Sequence, residues 1–526
     1  MFYRASLRAA AALASLSLLA GCGLIGDSGS DVDQHLSVGT TSSPSTLDPA
    51  GAWDNSWELM RNVFQTLVAF PTGTTKPEPD AADNCVFTDS TSMAYRCELR
   101  SGLTFSNGEK LDAEAVKYSI DRIVKIAAKG GPLGLLGSLD RVETKGDDIV
   151  VFHLNKPDAT FPFVLATPAM SIVAPGEYPE DKLREGDGVT GSGPYVLDSY
   201  ESGVSSELTK NPKYKGFADR KNDGVTIRYF EQSDAMVKAL KAKEIDATYR
   251  GLTADEVVGL EDDKGDNNGL QIVESTGADI RFLVFNPKDP AAGKPAVREA
   301  VARLIDRDAL VAKVYQGTAE PLYSMIPKGI ATHATSFFDV FGDPDPEKAA
   351  EALEDAGITA PVKMTFWYTT DRYGSATEPE FKEIKRQLEE SGLFEITLQS
   401  APWKTFQEGF NAGKYPVFGR GWFPDFPDPD NFVAPFVGPE SVTGTPYLSK
   451  EITSELLPSS RKESDRGAVS KQFERAQQIL VKDVRLLPLW QGKLYVAAGE
   501  DIGGGERALD PQTVMQMWEL YRKASW

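Results

Sequence analysis

The chain has 526 residues, too many for one ordinary hydrophobic core, and 41% of them are apolar and 25% charged, the balance of a folded protein. Its 56 basic and 77 acidic side chains leave a net charge of −21, which repels phosphate backbones and anionic lipid headgroups and argues against nucleic acid as a partner. Only three histidines occur, His35, His153 and His333, far apart and without a Cys or His neighbour at ligand spacing; neither a metal site nor a Ser-His-Asp triad is expected.

The N-terminus reads as an address. Arg4 and Arg8 precede the small, apolar run Ala9–Ala20, which has signal-peptide length and is too short to span a bilayer. It ends in LAGC, Leu19 to Cys22, which resembles the lipobox of bacterial lipoproteins; the resemblance implies cleavage before Cys22 and lipidation of its thiol. Residues 1–21 are then signal peptide and residues 22–34, GLIGDSGSDVDQ after the cysteine, a flexible lipidated tether. Loss of both arginines takes the charge to about −23. The expected location is the extracellular face of the cell membrane, on the periplasmic side where an outer membrane exists. No other stretch is long and apolar enough to span. In that oxidising compartment Cys85 and Cys97, joined by a polar-centred segment that suits a hairpin, form a disulfide by default; two free thiols are the alternative.

Past residue 35, short strands alternate with helices, so the class is α/β or α+β. Leu36–Val38 opens as a strand. Residues 54–69 read as a helix with Leu59, Val63, Phe64 and Leu67 on one face. LTFSNGEKL is a hairpin turning at Asn107-Gly108, and Asp112 caps a helix whose buried stripe is Val116, Ile120, Ile123 and Ala127, with Gly130 as its stop. Strands follow at DDIVVFHL, after the turn GSGP, and at VTIRYF; Asp234 starts a helix, and IRFLVFN is a buried strand. One or two helices run to Gly317, with Asp306 as a second cap. VKMTFWY is a strand, EPEFKEIKRQLEESG an amphipathic helix, and SKQFERAQQILVKD the last helix. There is no repeat.

Enzyme motifs are missing. The chain has no phosphate-binding G-x-x-x-x-G-K-[ST], no G-x-S-x-G and no H-E-x-x-H. IGGGER, 502–507, lacks the Lys and Ser/Thr that hold phosphate and reads as a surface loop. Paired carboxylates for a glycoside hydrolase remain the enzymatic alternative, since 77 acids are available.

The most unusual stretch is GRGWFPDFPDPDNF, Gly419 to Phe432. Pro424, Pro427 and Pro429 fix φ and remove backbone donors, so the segment has little entropy left to lose on binding. A carboxylate held that way suits an ammonium group.

Several motifs in order resemble solute-binding protein family 5. They are STLDPA with NVFQTLV, YRCELRSGLTFSNGEKLDAEAVKYSIDRI, TGSGPYVLDSY with LTKNPKYKG, LKAKEIDATY, FNPKDPAAGKPAVREAVARLIDRDAL and GWFPDFPDPDNF, spanning roughly residues 35–525. The resemblance implies an α/β, periplasmic-binding-protein-like type II (cluster C) fold: a two-lobed clamp with an extra domain. Lobe I would be built from three segments, 35–62, 189–283 and 490–526, with the extra domain at 63–188 and lobe II at 284–489. It implies an extracytoplasmic receptor of an ABC importer that captures oligopeptides or dipeptides, passes them to a membrane permease, uses no cofactor, acts as a monomer and catalyses nothing. An oligosaccharide receptor of the same family is the nearest alternative. The Cys85–Cys97 pair and Lys243-Glu244 depart from the family pattern.

By the same resemblance Asp425 receives the peptide's α-amino group and Trp422 walls the pocket. Arg420 binds a carboxylate or pairs with Asp425, and Trp403 lines the pocket or packs in the core. The loops at Ser43–Ser45 and at Trp53, Asn55 and Ser56 are candidate partners for a ligand bound as an added strand. Asp428 and Asp430 are expected to face water.

Overall fold

The computed structural model describes residues 34–262, 269–439, 441–445 and 447–524. The signal peptide, Cys22 and nearly all of the tether lie outside the described residues.

Two long antiparallel strands, Leu270–Phe285 and Leu486–Gly499, organise the molecule. Their register runs from Leu270↔Gly499 to Val284↔Leu486 and is interrupted between Thr276 and Ile280. The break lies at a close approach of two backbones: a Cβ on Gly277 would sit 2.4 Å from the Gly492 carbonyl oxygen, so only glycine lets the strands cross there. On one side of the break, the sheet continues from Leu486–Gly499 through Ala247–Tyr249, His35–Thr40, Gly224–Tyr229, Ser205–Lys210 and Tyr195–Glu201. On the other side it continues from Leu270–Phe285 through Val417–Trp422, Val362–Thr369 and Phe394–Ala401.

The cores follow this division. Leu283, Phe285, Phe366, Phe381 and Val417 fill one face of the second half, under the helix Thr377–Glu390. Phe282, Val284, Phe418, Phe406 and Phe410 fill the opposite face, as the two-residue alternation of strands requires. The largest core joins Leu36, Val38 and Trp57 to a four-stranded antiparallel sheet of Ala82–Phe87, Ala94–Leu99, Ile149–Leu154 and Leu139–Lys145, packed by the helix Ala113–Ile126. Asp112 caps that helix by accepting from the Ala115 N–H at 3.1 Å. Cys85 and Cys97 face each other across the first two strands and are joined by a disulfide.

Most expected elements are present, and Ser470–Asp483 has the expected ends. Three readings are corrected. The helix capped by Asp112 ends at Ile126, short of Gly130: Ala127 turns left-handed, is exposed and does not join the buried stripe of Val116, Ile120 and Ile123. The helix expected over 54–69 spans only Trp57–Val63. Phe64 turns extended because the GSGP turn docks there: the Gly193 N–H donates to the Val63 carbonyl at 3.0 Å, and a Cβ at Gly193 would meet the Val63 carbonyl carbon at 2.5 Å. The segment IGGGER is no surface loop. Ile502–Gly505 are buried, and Gly503 pairs with Tyr521 in a short antiparallel ladder.

Candidate ligand-binding site

The segment 419–432 opens as the end of the strand Val417–Trp422 and closes as the 3₁₀ turn Pro429–Phe432. Between them the chain passes from one core to another. Trp422 and Phe432 belong with Phe282 and Phe436, whereas Phe426 lies against Phe163 with ring centroids 6.0 Å apart. Asp425 sits at this passage, 8% exposed.

Three side chains hold Asp425 through four hydrogen bonds. Trp53 Nε1 donates to Oδ1 at 2.7 Å and Asn431 Nδ2 to Oδ2 at 3.1 Å. The Asn431 side-chain oxygen accepts from the Asp425 N–H at 3.0 Å and from Trp422 Nε1 at 3.1 Å. Gln512 Nε2 donates to the Asp425 carbonyl at 2.5 Å, and its own Oε1 accepts from Arg61. Burial pushes the Asp425 carboxyl above the usual range, and the bonds from Asn431 and Trp53 oppose the rise. The result is a fixed carboxylate short of positive charge, an acceptor prepared for a cationic donor.

Asp428 and Asp430 do not face water. Arg466 clamps Asp428 with bonds of 2.8 and 2.9 Å, and Arg461 clamps Asp430 with bonds of 2.9 and 2.8 Å. Burial is tolerated because each acid has a bidentate partner. These pairs, with three prolines, fix the loop that carries Asp425.

Arg420 contacts the Val442 carbonyl at 3.0 Å and lies over the rings of Phe410 and Trp403, at 4.6 and 5.3 Å; of the two roles expected for it, pairing with Asp425 is not the one its contacts serve. Burial lowers its pKa, and its Nε has no hydrogen-bond partner. Trp403 opens the helix Trp403–Asn411 and is half-buried between Tyr373, Phe406 and Arg420. It packs against the core with one side open to solvent. Trp53 is exposed, with its ring edge 3.4 Å from the space above Gly134. Asn55 is exposed and accepts from Arg250 Nη1 at 3.1 Å. Ser56 is fully buried, and its hydroxyl accepts from the Ser45 N–H at 2.9 Å, which ties the two candidate loops together.

Other residues at the site were not singled out from sequence. Arg281, on the long strand just past the register break, has its guanidinium over Tyr373, Trp490 and Phe423 at 4.3, 4.9 and 5.1 Å. Gly421 leaves room for it: a Cβ there would lie 2.5 Å from Arg281 Nη1. Exposed Arg372 lies over Trp403 and Phe423 at 5.4 and 5.9 Å. A lone arginine inside the apolar run IRFLVFN was a visible signal for Arg281; Gln512, 87 positions from Asp425, had none. Among the described residues no group of His, Cys, Asp and Glu is arranged to hold a metal, and no helix is long and apolar enough to cross a membrane.

Residues 76–444 match the profile of the bacterial extracellular solute-binding proteins, family 5 (middle region), and the chain belongs to that family. It is a family of solute-binding proteins, not of enzymes. The probable D,D-dipeptide-binding periplasmic protein DdpA of Escherichia coli K12 is 25% identical over 89% of this chain and 90% of that protein. Among solved structures, HbpA2 from Haemophilus parasuis superposes with a TM-score of 0.80 at 20% identity, over 93% of this chain and all of that one. The periplasmic binding protein DppA from Helicobacter pylori in complex with the peptide STSA gives 0.75 at 23% identity, over 93% and 98%. The fold is thus the two-lobed type II clamp.

Proposed function

We propose that this protein is the extracytoplasmic receptor of an ABC importer for peptides, anchored through a lipid on Cys22. The single observation that carries the ligand assignment is Asp425: a buried carboxylate on a braced loop, held only by neutral donors. A peptide's α-ammonium supplies the missing charge, and a charge-assisted hydrogen bond contributes about 1.5–3 kcal/mol, more than an exposed ion pair. Trp422 and Trp403 wall the pocket, and Arg372 offers an exposed cation to the ligand's carboxylate end. Asn55 and the Ser43–Ser45 loop line the facing side, with Ser56 as their internal tie. The names of relatives such as the di/tripeptide-binding protein 1 of Pseudomonas aeruginosa support the same class of ligand.

The lobes in this reading are divided at the register break, with lobe I assembled from residues 35–62, 189–283 and 490–526. Closure about Gly277 and Gly492 buries the ligand between them, and delivery to a membrane permease follows without a chemical step. A thermal-shift screen of the mature chain against di- to hexapeptides tests this. Stabilisation by free peptides, absent with their N-acetylated forms, is expected; equal stabilisation by both would remove Asp425 from the amine-binding role.

A further inference from the structure

Asp425 and Trp53 stand 372 positions apart in sequence and are joined by a 2.7 Å hydrogen bond. Trp53 comes from the loop before the helix Trp57–Val63, and Asp425 from the loop after the strand Val417–Trp422. The bond is not isolated. Phe426, the next residue, packs on Phe163, and Gln512 donates to the Asp425 carbonyl. Two more long-range bonds involve the segment that braces the Asp425 loop: the Ala159 N–H donates to the Arg461 carbonyl at 2.8 Å, and Ser92 Oγ to the Lys462 carbonyl at 3.1 Å.

We propose that Trp53 is a built-in latch: its indole N–H takes the place on Asp425 Oδ1 that a ligand's ammonium takes, and so holds the two lobes together until a ligand displaces it. The inference rests on the assignment of Asp425 as the amine anchor. Both carboxylate oxygens receive a donor from the chain itself, Trp53 on Oδ1 and Asn431 on Oδ2. Asn431 is part of the same braced turn and moves with Asp425, so its bond survives opening; the Trp53 bond does not. An indole N–H is neutral, so an ammonium is the stronger donor to a desolvated carboxylate and wins the exchange. Trp53 is 39% exposed, which leaves its ring room to swing out. The consequence is a tax on affinity: the fraction of receptor held by the latch does not accept ligand.

The test is Trp53→Phe, which keeps the ring and removes the donor, with Trp53→Leu as a second variant lacking it. Small-angle scattering of the mature chain without peptide reads the latch; calorimetry and stopped-flow with trialanine read its competition with the amine. The expected result is a larger radius of gyration for both variants and trialanine affinity raised by up to about tenfold, mostly through faster association. An unchanged radius of gyration would overturn the latch. Weaker trialanine binding would overturn the displacement, because Trp53 would then be a ligand contact. The two readings fail separately: if no peptide binds to wild type or variant, the peptide assignment falls, while scattering still decides whether Trp53 holds the lobes.

Discussion

Arg466 grips both carboxylate oxygens of Asp428 at 2.8 and 2.9 Å, three residues from the proposed amine anchor. Both side chains are nearly inaccessible to solvent. Arg461 repeats the arrangement on Asp430, and the two pairs bolt the turn to the segment Leu457–Val469. Removing one partner leaves a buried charge uncompensated. Arg466→Ala is therefore expected to lower stability by about 3–5 kcal/mol in urea unfolding. Peptide affinity should fall as well, through loss of order at Asp425 and not through a lost contact. Replacement of both partners by apolar residues of similar volume should recover much of the stability but not the affinity.

Glu58 makes a prediction of opposite sign to ordinary acid denaturation. Burial pushes its carboxyl up to about 7; Arg250, 3.7 Å away, opposes the rise and Asp510 adds to it. Neither carboxylate oxygen has a hydrogen-bond partner. In the unfolded chain the group titrates near 4.5. Between these values the folded state binds more protons than the unfolded state, so stability falls as pH rises from about 4.5 to 7. Glu58→Gln should abolish about 2 kcal/mol of that decline, measured as the difference in unfolding free energy between pH 5 and pH 8.

The register break makes a third prediction. Gly277 and Gly492 allow the two long strands to cross at van der Waals contact. Gly277→Ala inserts a methyl 2.4 Å from a carbonyl oxygen, which demands a backbone shift and should cost about 1–3 kcal/mol. In the clamp reading the same shift changes the closing angle. Scattering with saturating peptide should show less compaction than in wild type, and equal compaction would place the hinge elsewhere.

The disulfide joins adjacent strands of the four-stranded sheet, and none of the hydrogen bonds that hold Asp425 comes from its hairpin. Paired Cys85→Ser and Cys97→Ser substitutions should lower stability by about 3 kcal/mol through the looser unfolded chain. Peptide affinity should not change.

The elements with strong periodicity were legible from sequence: the helix Ser470–Asp483, the strand Val362–Thr369 and the Asp112-capped start of the helix Ala113–Ile126 lie where the pattern puts them. What misled was context. The apolar stripe of 54–69 continues past Val63, but Phe64 is buried by the turn that docks there, and a docked extended chain shows the same apolar residues as a helix. The strand Leu270–Phe285 was visible only in its last residues, because its first half is partly exposed and carries polar side chains. Asp428 and Asp430 read as solvent-facing because their partners, Arg466 and Arg461, lie 38 and 31 positions on. Asp425 and Trp422 were singled out through the resemblance of GWFPDFPDPDNF to the family's motif; Gln512 acts through tertiary contact alone.

The measurement that bears most directly on the central claim is calorimetry of the mature chain against a mixed di- to hexapeptide library, repeated with N-acetylated peptides and with Asp425→Ala. Micromolar or tighter binding, lost on acetylation and in the variant, is the predicted result. Folded protein that binds no peptide, or that binds acetylated and free peptides alike, would contradict an amine-reading peptide receptor and turn attention to oligosaccharides.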